Sequence, residues 1–345
     1  MSPLACPDRG QEKGQLFQGH SILRRTHHTR VADQNDERRL PLQKVDADTL
    51  SLRWAWSRLN STALERFNTV WDSVRQPAIS RAGEREPPLR MAEGDARAMK
   101  KAGFIQTASK LSTTGWIVPF TVVEEKQSGP RRRFMAWPQA KNEQEDYEAM
   151  VPLGRISRYL GAVCNEAAAF FDLKASFFQA GLPAERRRNF RCRTEKGELV
   201  EFTRPPMGYK CSPEIAHAIS RKLAGDPEVA KPRYAAPAEL TLYVRIDNIR
   251  IGGPRKSVKS WGNSIMTDAR YCGATVGEHK APTARYEFIG VCFNHTAKTV
   301  SLSDKTLRKL KSATPLHKML VGELQSFTSR MMYAVGVRFF SIISF

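Results

Sequence analysis

The sequence predicts an α+β fold in which antiparallel hairpins pack against helices, and two kinds of pattern predict it. Apolar and polar residues alternate on both sides of short turn-forming stretches within 115–137, 242–253 and 286–303, as they do in antiparallel strand pairs. Residues 211–225 and 257–273 instead have the spacing and terminal signals of helices. Apolar residues make up 41% of the 345 residues, enough for a sizeable core.

The net charge indicates a polyanionic partner. The chain has 55 Lys and Arg residues against 35 Asp and Glu residues, a balance of +20. Such an excess favours nucleic acid, whose backbone charge drives most non-specific binding. The alternative is a basic protein whose charge only aids solubility.

Cysteine usage and hydropathy exclude several classes. The six cysteines show neither CxxC spacing nor a cluster with histidine, so we expect reduced thiols rather than a disulfide framework or a zinc site. The N-terminus lacks the apolar segment of a secretory signal, and no run reaches the roughly 18 apolar residues that a membrane span needs. We therefore expect an intracellular protein, in cytoplasm or nucleus, with no membrane partner.

Composition divides the chain into three parts. Residues 1–89 form a basic N-terminal extension that we expect to be partly disordered, with one or two amphipathic helices within 50–75. Residues 90–302 read as a folded α+β body. Residues 303–345 are predicted to be helical.

Two local signals in the body are specific. In 211–225, Ser212 is a plausible N-cap, Pro213 suits the first helical position and Gly225 suits the end. In 242–253 the alternation breaks at Asp247 and Asn248, which tolerate the left-handed backbone of tight turns. The second pattern predicts a hairpin with Asp247–Asn248 at its tip.

Asp172 and Asp247 are the candidate metal ligands. Asp172 follows the apolar run Ala167–Phe171, and Asp247 lies between two strands. A carboxylate beside an apolar run is costly unless it is paired or metal-bound. Two carboxylates from different strands could jointly hold Mg²⁺ with substrate phosphates. The alternative is that Asp172 caps a helix and Asp247 only forms a turn.

The order of five motifs resembles the palm of reverse transcriptases. The motifs are "FFDLKASFF", "FTRPPMGYKCSPEIAHA", "LYVRIDNIRIGG", "GATVGEHK" and "EFIGVCFN", and the resemblance covers roughly 100–340. It implies a right-hand polymerase with fingers and palm in 90–302, an antiparallel palm sheet packed on helices, and a partial thumb in 303–345. The chain looks truncated there, without a ribonuclease H domain. The "PPMGY" form, the "FIGV" hairpin and the late helical segment "LVGELQSFTSRMMYAVG" (320–336) resemble the tyrosine-recombinase retroelements (DIRS-like and VIPER-like).

The resemblance also implies roles at the catalytic tip. Asp172, Asp247 and Asn248 would hold two Mg²⁺ ions, and Lys280 would donate a proton to the leaving pyrophosphate. Asn248 stands where the family has a second carboxylate, and Arg245 replaces the usual Tyr. We expect weaker metal binding, with Mn²⁺ as the alternative to Mg²⁺. A surface lysine is the alternative for Lys280.

Further residues would contact the incoming dNTP. Phe177 would exclude a 2′-hydroxyl, and its alternative is a core side chain. The triphosphate would be bound by the 118–137 hairpin, where Arg131 and Arg132 are alternatives to Arg133. The residues implied to contact the dNTP are Lys126, Arg133, Phe177, Met207, Gly208 and Lys210.

Taken together, the expectation is an RNA-directed DNA polymerase of a retroelement. Its partners would be an RNA template, a DNA primer and dNTPs, and a primer 3′-OH would attack the α-phosphate. One alternative is a catalytically degenerate relic that binds nucleic acid. Another is an RNA-directed RNA polymerase, which fits the Asp-Asn pair but fits Phe177 poorly.

Overall fold

The computed structural model describes most of the chain from residue 40 onward. The described residues are 40–43, 47–75, 89–108, 113, 115–126, 129–144, 147, 150, 151, 153 and 156–343, with the backbone alone at 125, 126, 140, 144 and 338–343. Most of the predicted N-terminal extension therefore lies outside the described residues.

Nine α-helices and twelve strands make up the described part of the chain. The helices are α1 Leu52–Arg58, α2 Ser61–Arg75, α3 Glu93–Lys101, α4 Gln139–Gln144, α5 Ser157–Leu160, α6 Ser212–Ala224, α7 Arg255–Cys272, α8 Asp304–Lys311 and α9 Val321–Ile343. The strands are β1 Ile105–Thr107, β2 Val118–Lys126, β3 Gly129–Trp137, β4 Ala167–Leu173, β5 Arg191–Arg193, β6 Leu199–Phe202, β7 Thr241–Arg245, β8 Asn248–Gly253, β9 Val276–Thr283, β10 Arg285–Phe288, β11 Val291–Asn294 and β12 Thr299–Leu302. The mixed α+β prediction is confirmed, and all strand pairs within the sheets are antiparallel.

A four-stranded sheet in the order β7-β8-β4-β9 lies at the centre. Alternate residues of β4 enter two different cores because successive side chains of a strand point to opposite faces. Phe171 and Leu173 join the larger core, whereas Phe170 packs against the smaller one. At β4 the sheet is therefore covered by a core on both faces.

Three smaller sheets surround the central one. They have the strand orders β1-β6-β5, β2-β3 and β10-β11-β12. The pattern within 286–303 predicted one hairpin, and the structure adds a strand, because β11 pairs with both β10 and β12. The smaller core lies between this three-stranded sheet and the central sheet, and includes Tyr286, Phe288 and Phe293.

The segment before residue 76 packs into the body. Trp54 of α1 and Phe67 and Trp71 of α2 belong to the larger core. The backbone N–H of Leu50 donates to the Gln179 carbonyl at 2.9 Å. Burying three aromatic side chains removes a large apolar area from water, so this segment contributes to the stability of the body.

The helix predicted at 211–225 is present, but its cap differs from the prediction. The N-cap residue is Cys211, which makes no side-chain capping bond, and Ser212 is already helical. The Ser212 hydroxyl donates instead to the carbonyl of Pro206 at 3.0 Å, which ties the helix to the preceding loop. Gly225 ends the helix with φ +73° as expected.

Two further observations concern hydropathy and thiols. None of the helices in the described ranges is long and apolar enough to cross a membrane. Among the described cysteines, at 164, 192, 211, 272 and 292, there is no disulfide bond.

Candidate active site

A cavity of about 440 Å³ opens at one end of the central sheet. It collects charged and polar side chains from β4, β7, β8, β9 and β10 and from the turns between them. Its polar lining includes Asp172, Arg245, Asp247, Asn248, Glu278 and Lys280. The structure thus brings all four of the predicted catalytic residues to one cavity, although they are separated by up to 108 positions in the chain, from 172 to 280.

Asp172 reaches the cavity because of its register in the sheet. It lies inside β4, directly opposite Asn248 of β8, rather than at a helix N-cap. A side chain two residues before it, Phe170, enters the smaller core, so Asp172 belongs to the same sheet face at the point where that core ends. Gly277 of β9, the neighbour of β4 on the other side, lies close to the Asp172 side chain: a Cβ at Gly277 would lie 3.6 Å from Asp172 Oδ2.

The hairpin at 242–253 forms, but its turn is one residue earlier than predicted. Arg245 pairs with Asn248, so the two-residue loop is Ile246–Asp247 and Asn248 already belongs to β8. Ile246 has φ +56°, a left-handed conformation that is unusual for a β-branched residue. The prediction of an Asp247–Asn248 turn is therefore wrong, because the left-handed position is taken by an isoleucine.

Asp247 is half-buried and is held by hydrogen bonds on two sides. Its carbonyl accepts a hydrogen bond from the Leu173 N–H at 3.0 Å, and its Oδ1 accepts one from Asn248 Nδ2 at 2.9 Å. Burial raises the pKa of Asp247, while the Asn248 donor and the Arg133 guanidinium oppose that rise. A buried carboxylate with a raised pKa gains from a nearby cation.

The two arginines beside the tip have different environments. Arg245 lines the cavity. Arg250 is fully buried in the smaller core, where its Nε donates to the Tyr286 hydroxyl at 2.9 Å and its guanidinium lies 5.3–5.4 Å from the ring centres of Tyr243, Tyr286 and Phe293. Burial lowers the pKa of Arg250. Of these two arginines, Arg245 is therefore the one placed to meet a phosphate in the cavity.

The opposite wall of the cavity is the β10–β11 turn. Phe288 pairs with Val291, so Ile289 and Gly290 form a second two-residue loop. Ile289 lines the cavity and has φ +46°. The hydroxyl of Tyr333, on α9, donates a hydrogen bond to the Ile289 carbonyl.

Strand β9 supplies two exposed charges of opposite sign. Lys280 lies opposite Phe170 of β4, and Glu278 lies two residues before it. Both line the cavity together with Glu287 of β10. The sequence predicted Lys280 but neither glutamate, because a Glu in an exposed strand has no local signal that distinguishes it from a solvated surface residue.

The loop before α6 lies against the β2–β3 hairpin and does not line the cavity. The Met207 carbonyl accepts from the Ala136 N–H at 2.9 Å, and Asn142 bonds both the Gly208 carbonyl and the Lys210 N–H at 2.8 and 3.1 Å. Gly208 is exposed with φ +107°, and a Cβ there would lie 3.0 Å from the Ala136 carbonyl oxygen. The close approach of this loop to β3 therefore requires glycine.

Phe177 also lies outside the cavity lining. It belongs to the short 3₁₀ helix Ser176–Gln179, directly after β4, and is half-buried against the larger core. Its neighbour Phe178 is fully within that core, 4.8 Å from Phe104 between ring centres. The half-buried position leaves Phe177 partly exposed, which a pure core residue would not be.

The hairpin arginines alternate between the two faces of β3. Arg132 is buried and forms a double hydrogen bond with Asp95 at 2.8 and 2.9 Å. Arg131 and Arg133 are partly exposed and share Glu124, at 3.3 and 2.7 Å. The backbone of Lys126 pairs with Gly129, and its side chain lies outside the described residues. Arg132 is thus committed to the fold, whereas Arg133 is close enough to Asp247 to influence its charge.

The donor set suits one mode of metal binding. Among the described residues, no group of three or more His, Cys, Asp or Glu side chains is placed to hold a metal ion. The cavity instead has the carboxylates of Asp172 and Asp247 with the Asn248 amide beside them. Mg²⁺ is often bound through one or two carboxylates and completed by substrate phosphates. The residues present fit that mode rather than an all-protein cage.

Comparison with known proteins gives one kind of similarity. No family model matches the chain, and no curated protein matches it. Solved structures of the foamy viral protease–reverse transcriptase do match, at 14% identity. Its dRH form with double-stranded DNA gives a TM-score of 0.58, the complex with double-stranded DNA gives 0.54, and the complex with an RNA/DNA hybrid gives 0.51.

These matches establish a reverse-transcriptase-like fold. They cover 84–85% of this chain but 54%, 63% and 41% of the respective viral chains. The chain thus spans between about two fifths and two thirds of the length of the proteins it resembles. At this identity the similarity concerns the fold, and the chemistry has to be argued from the residues of this chain.

Proposed function

We propose that this chain is an RNA-directed DNA polymerase of a retroelement. The observation that carries the proposal is the convergence of Asp172, Asp247, Asn248 and Lys280 on one cavity at the end of a sheet with a reverse-transcriptase-like fold. The +20 charge supports a nucleic-acid partner. In this proposal β4 and β7–β9 are the palm, β2–β3 belongs to the fingers, and α8 and α9 belong to the thumb. The motif forms noted above favour the DIRS-like and VIPER-like subgroup.

Each site residue has a role in nucleotidyl transfer. Asp172 and Asp247 would hold divalent cations, with Asn248 as a neutral neighbour that orients Asp247 through their hydrogen bond. When bound, two such cations stabilise the charges on the attacking and leaving oxygens. Lys280, exposed on the cavity wall, would deliver a proton to the leaving pyrophosphate.

The residues around the cavity would bind the dNTP. Arg133 and Lys126 of the hairpin would contact its triphosphate, since a guanidinium suits bidentate phosphate binding. Met207, Gly208 and Lys210, in the loop outside the cavity lining, would contact its sugar and base, and Phe177 would exclude the 2′-hydroxyl of ribonucleotides. Most of the rate enhancement in such a site comes from positioning and charge stabilisation.

A second candidate is a nucleic-acid-binding scaffold without catalysis. It is favoured by the Asn248–Asp247 hydrogen bond, which uses one carboxylate oxygen at 2.9 Å, and by the absence of a second aspartate next to Asp247. Removing one negative charge weakens the attraction of the site for two divalent cations.

One experiment separates these functions. We would measure dNTP incorporation on a poly(rA)/oligo(dT) primer-template with Mg²⁺ and, separately, with Mn²⁺. Asp172→Asn should abolish incorporation, whereas Asp304→Asn, the same change at an exposed carboxylate on α8, should leave it within twofold. Incorporation of NTPs in place of dNTPs would indicate an RNA polymerase. No incorporation by folded protein that still binds the duplex would support the scaffold.

A further inference from the structure

The tip that carries Asp247 has a conformation that its own sequence does not favour. Ile246 adopts φ +56°, and the left-handed region is strongly disfavoured for a β-branched side chain. Asn, Asp or Gly would adopt it more easily. Such a conformation persists only where surrounding contacts hold it in place, and two hydrogen bonds hold the Ile246–Asp247 loop.

One of those contacts comes from α6. The Ile246 N–H donates to Nδ1 of His217 at 3.3 Å. His217 is 4% exposed and lies in the helix that packs beneath the β7–β8 hairpin, 29 residues away in the chain. Since Nδ1 is the acceptor, the ring is the neutral tautomer with its proton on Nε2. Burial lowers the pKa of His217 to about 4, which is consistent with a neutral ring at neutral pH.

The other contact ties the same loop to β4. The Asp247 carbonyl accepts from the Leu173 N–H at 3.0 Å, one residue after Asp172. The two-residue loop is thus held between β4 on one side and α6 on the other. Losing either bond would let Asp247 move relative to Asp172, and misplacement of a catalytic group by about 1 Å can cost about 100-fold in rate.

We propose that His217 is a positioning residue that holds Asp247 in place by accepting the Ile246 N–H hydrogen bond through Nδ1. This inference rests on the proposed polymerase function for its kinetic consequence, but not for its structural one. Because α6 begins directly after the Met207–Lys210 loop, the same bond links the loop proposed to bind the dNTP with the tip proposed to bind metal. His217 contacts neither substrate nor metal in this role.

The test uses variants that differ in one acceptor atom. His217→Asn keeps a carbonyl oxygen near the position of Nδ1, whereas His217→Leu removes the acceptor at similar volume. His217→Gln places its amide farther out, near Nε2, and serves as a second loss variant if the leucine protein does not fold. Ser220→Ala changes another fully buried residue of α6 and is the matched control.

The first readout does not depend on activity. Hydrogen–deuterium exchange of the 241–253 segment, resolved at the Ile246 amide, should be about tenfold faster in His217→Leu and His217→Gln, the factor expected for one lost hydrogen bond. His217→Asn and Ser220→Ala should remain within threefold of wild type. Equal protection of this amide in the wild type and both loss variants would overturn the proposal.

The second readout tests the consequence for the proposed reaction. In the loss variants kcat should fall about tenfold or more, with the KM for primer-template unchanged, and His217→Asn should restore most of kcat. A rise in the KM for primer-template without a change in kcat would contradict a positioning role. If no protein incorporates dNTP, the polymerase proposal fails, while the exchange result still decides whether His217 holds the tip.

Discussion

Two hairpin tips line the candidate active site. They share a left-handed isoleucine but differ in their second residue and in the side chain that holds them. Both are two-residue loops that begin with an isoleucine in the left-handed region, at φ +56° for Ile246 and +46° for Ile289. The second loop residue is Gly290 in one and Asp247 in the other. Gly290 has φ +84°, which glycine adopts at little cost, whereas Asp247 is not in the left-handed region.

The anchors of the two tips also differ in chemistry. The Ile246 N–H donates to a buried histidine, His217, and the Ile289 carbonyl accepts from the hydroxyl of Tyr333. Gly290 adds a second anchor, since its carbonyl accepts from the Ser303 N–H at 2.9 Å. Both tips are therefore held by a side chain that is distant in the chain, and they differ in its chemistry: an imidazole acceptor at the Asp247 tip and a phenol donor at the Gly290 tip.

The largest expected effect is a loss in the free energy of unfolding at low pH, through the His217 anchor of the Ile246–Asp247 tip. The pKa of His217 is about 4 in the folded protein and 6.5 ordinarily, because burial and the nearby Arg221 disfavour its charge more than Asp226 and Glu214 favour it. As pH falls, the unfolded chain therefore binds the proton before the folded protein does. The contribution of neutral His217 to stability is complete above pH 6.5 and is lost as pH falls to 4. The loss should be about 3 kcal/mol in the free energy of unfolding.

Urea unfolding of the wild type and His217→Asn at pH 7, 5.5 and 4 measures this loss. The difference between the two proteins cancels the contributions of the carboxylates. Parallel pH profiles for the two proteins would contradict the assignment of a neutral, buried acceptor at this tip.

The second tip should respond to alkali instead. Burial raises the pKa of Tyr333 to about 12 from its ordinary 10. The unfolded chain loses this proton first, so the contribution of Tyr333 is complete below pH 10 and is lost as pH rises to 12, by about 2.5 kcal/mol. The free-energy difference between the wild type and Tyr333→Phe should shrink over that range. A constant difference would show that the hydroxyl is not buried in its hydrogen bond.

The smallest effect tests the glycine of the second tip. In Gly290→Ala a Cβ would lie 2.7 Å from Thr306 Oγ1 at φ +84°, so we expect a loss of about 2 kcal/mol in the free energy of unfolding. Gly103→Ala is the matched control, with φ +72° and nothing within 4 Å, and should cost about 1 kcal/mol. Equal losses would mean that backbone conformation alone, and not packing against α8, makes Gly290 necessary.

The sequence by itself determined the features that depend on short-range pattern. Alternation predicted the paired strands at 118–137 and 242–253, and Gly225 predicted the end of α6, because strand faces and helix ends are set by neighbours within a few residues. The position of Asp172 next to an apolar run also followed from the sequence, although β4 continues through Asp172 to Leu173. The motif order was enough to anticipate a reverse-transcriptase-like fold.

Only the tertiary structure decided which of several similar residues is buried, which stays exposed and which forms the turn. Arg132 is buried against Asp95 while Arg131 and Arg133 remain partly exposed, because the packing of β3 selects one of its faces. The turn lies at Ile246–Asp247 rather than Asp247–Asn248, since the hydrogen bond that the Ile246 N–H donates to His217 helps to offset a local preference of a few kcal/mol. Such choices depend on contacts between residues far apart in the chain, which no local pattern contains.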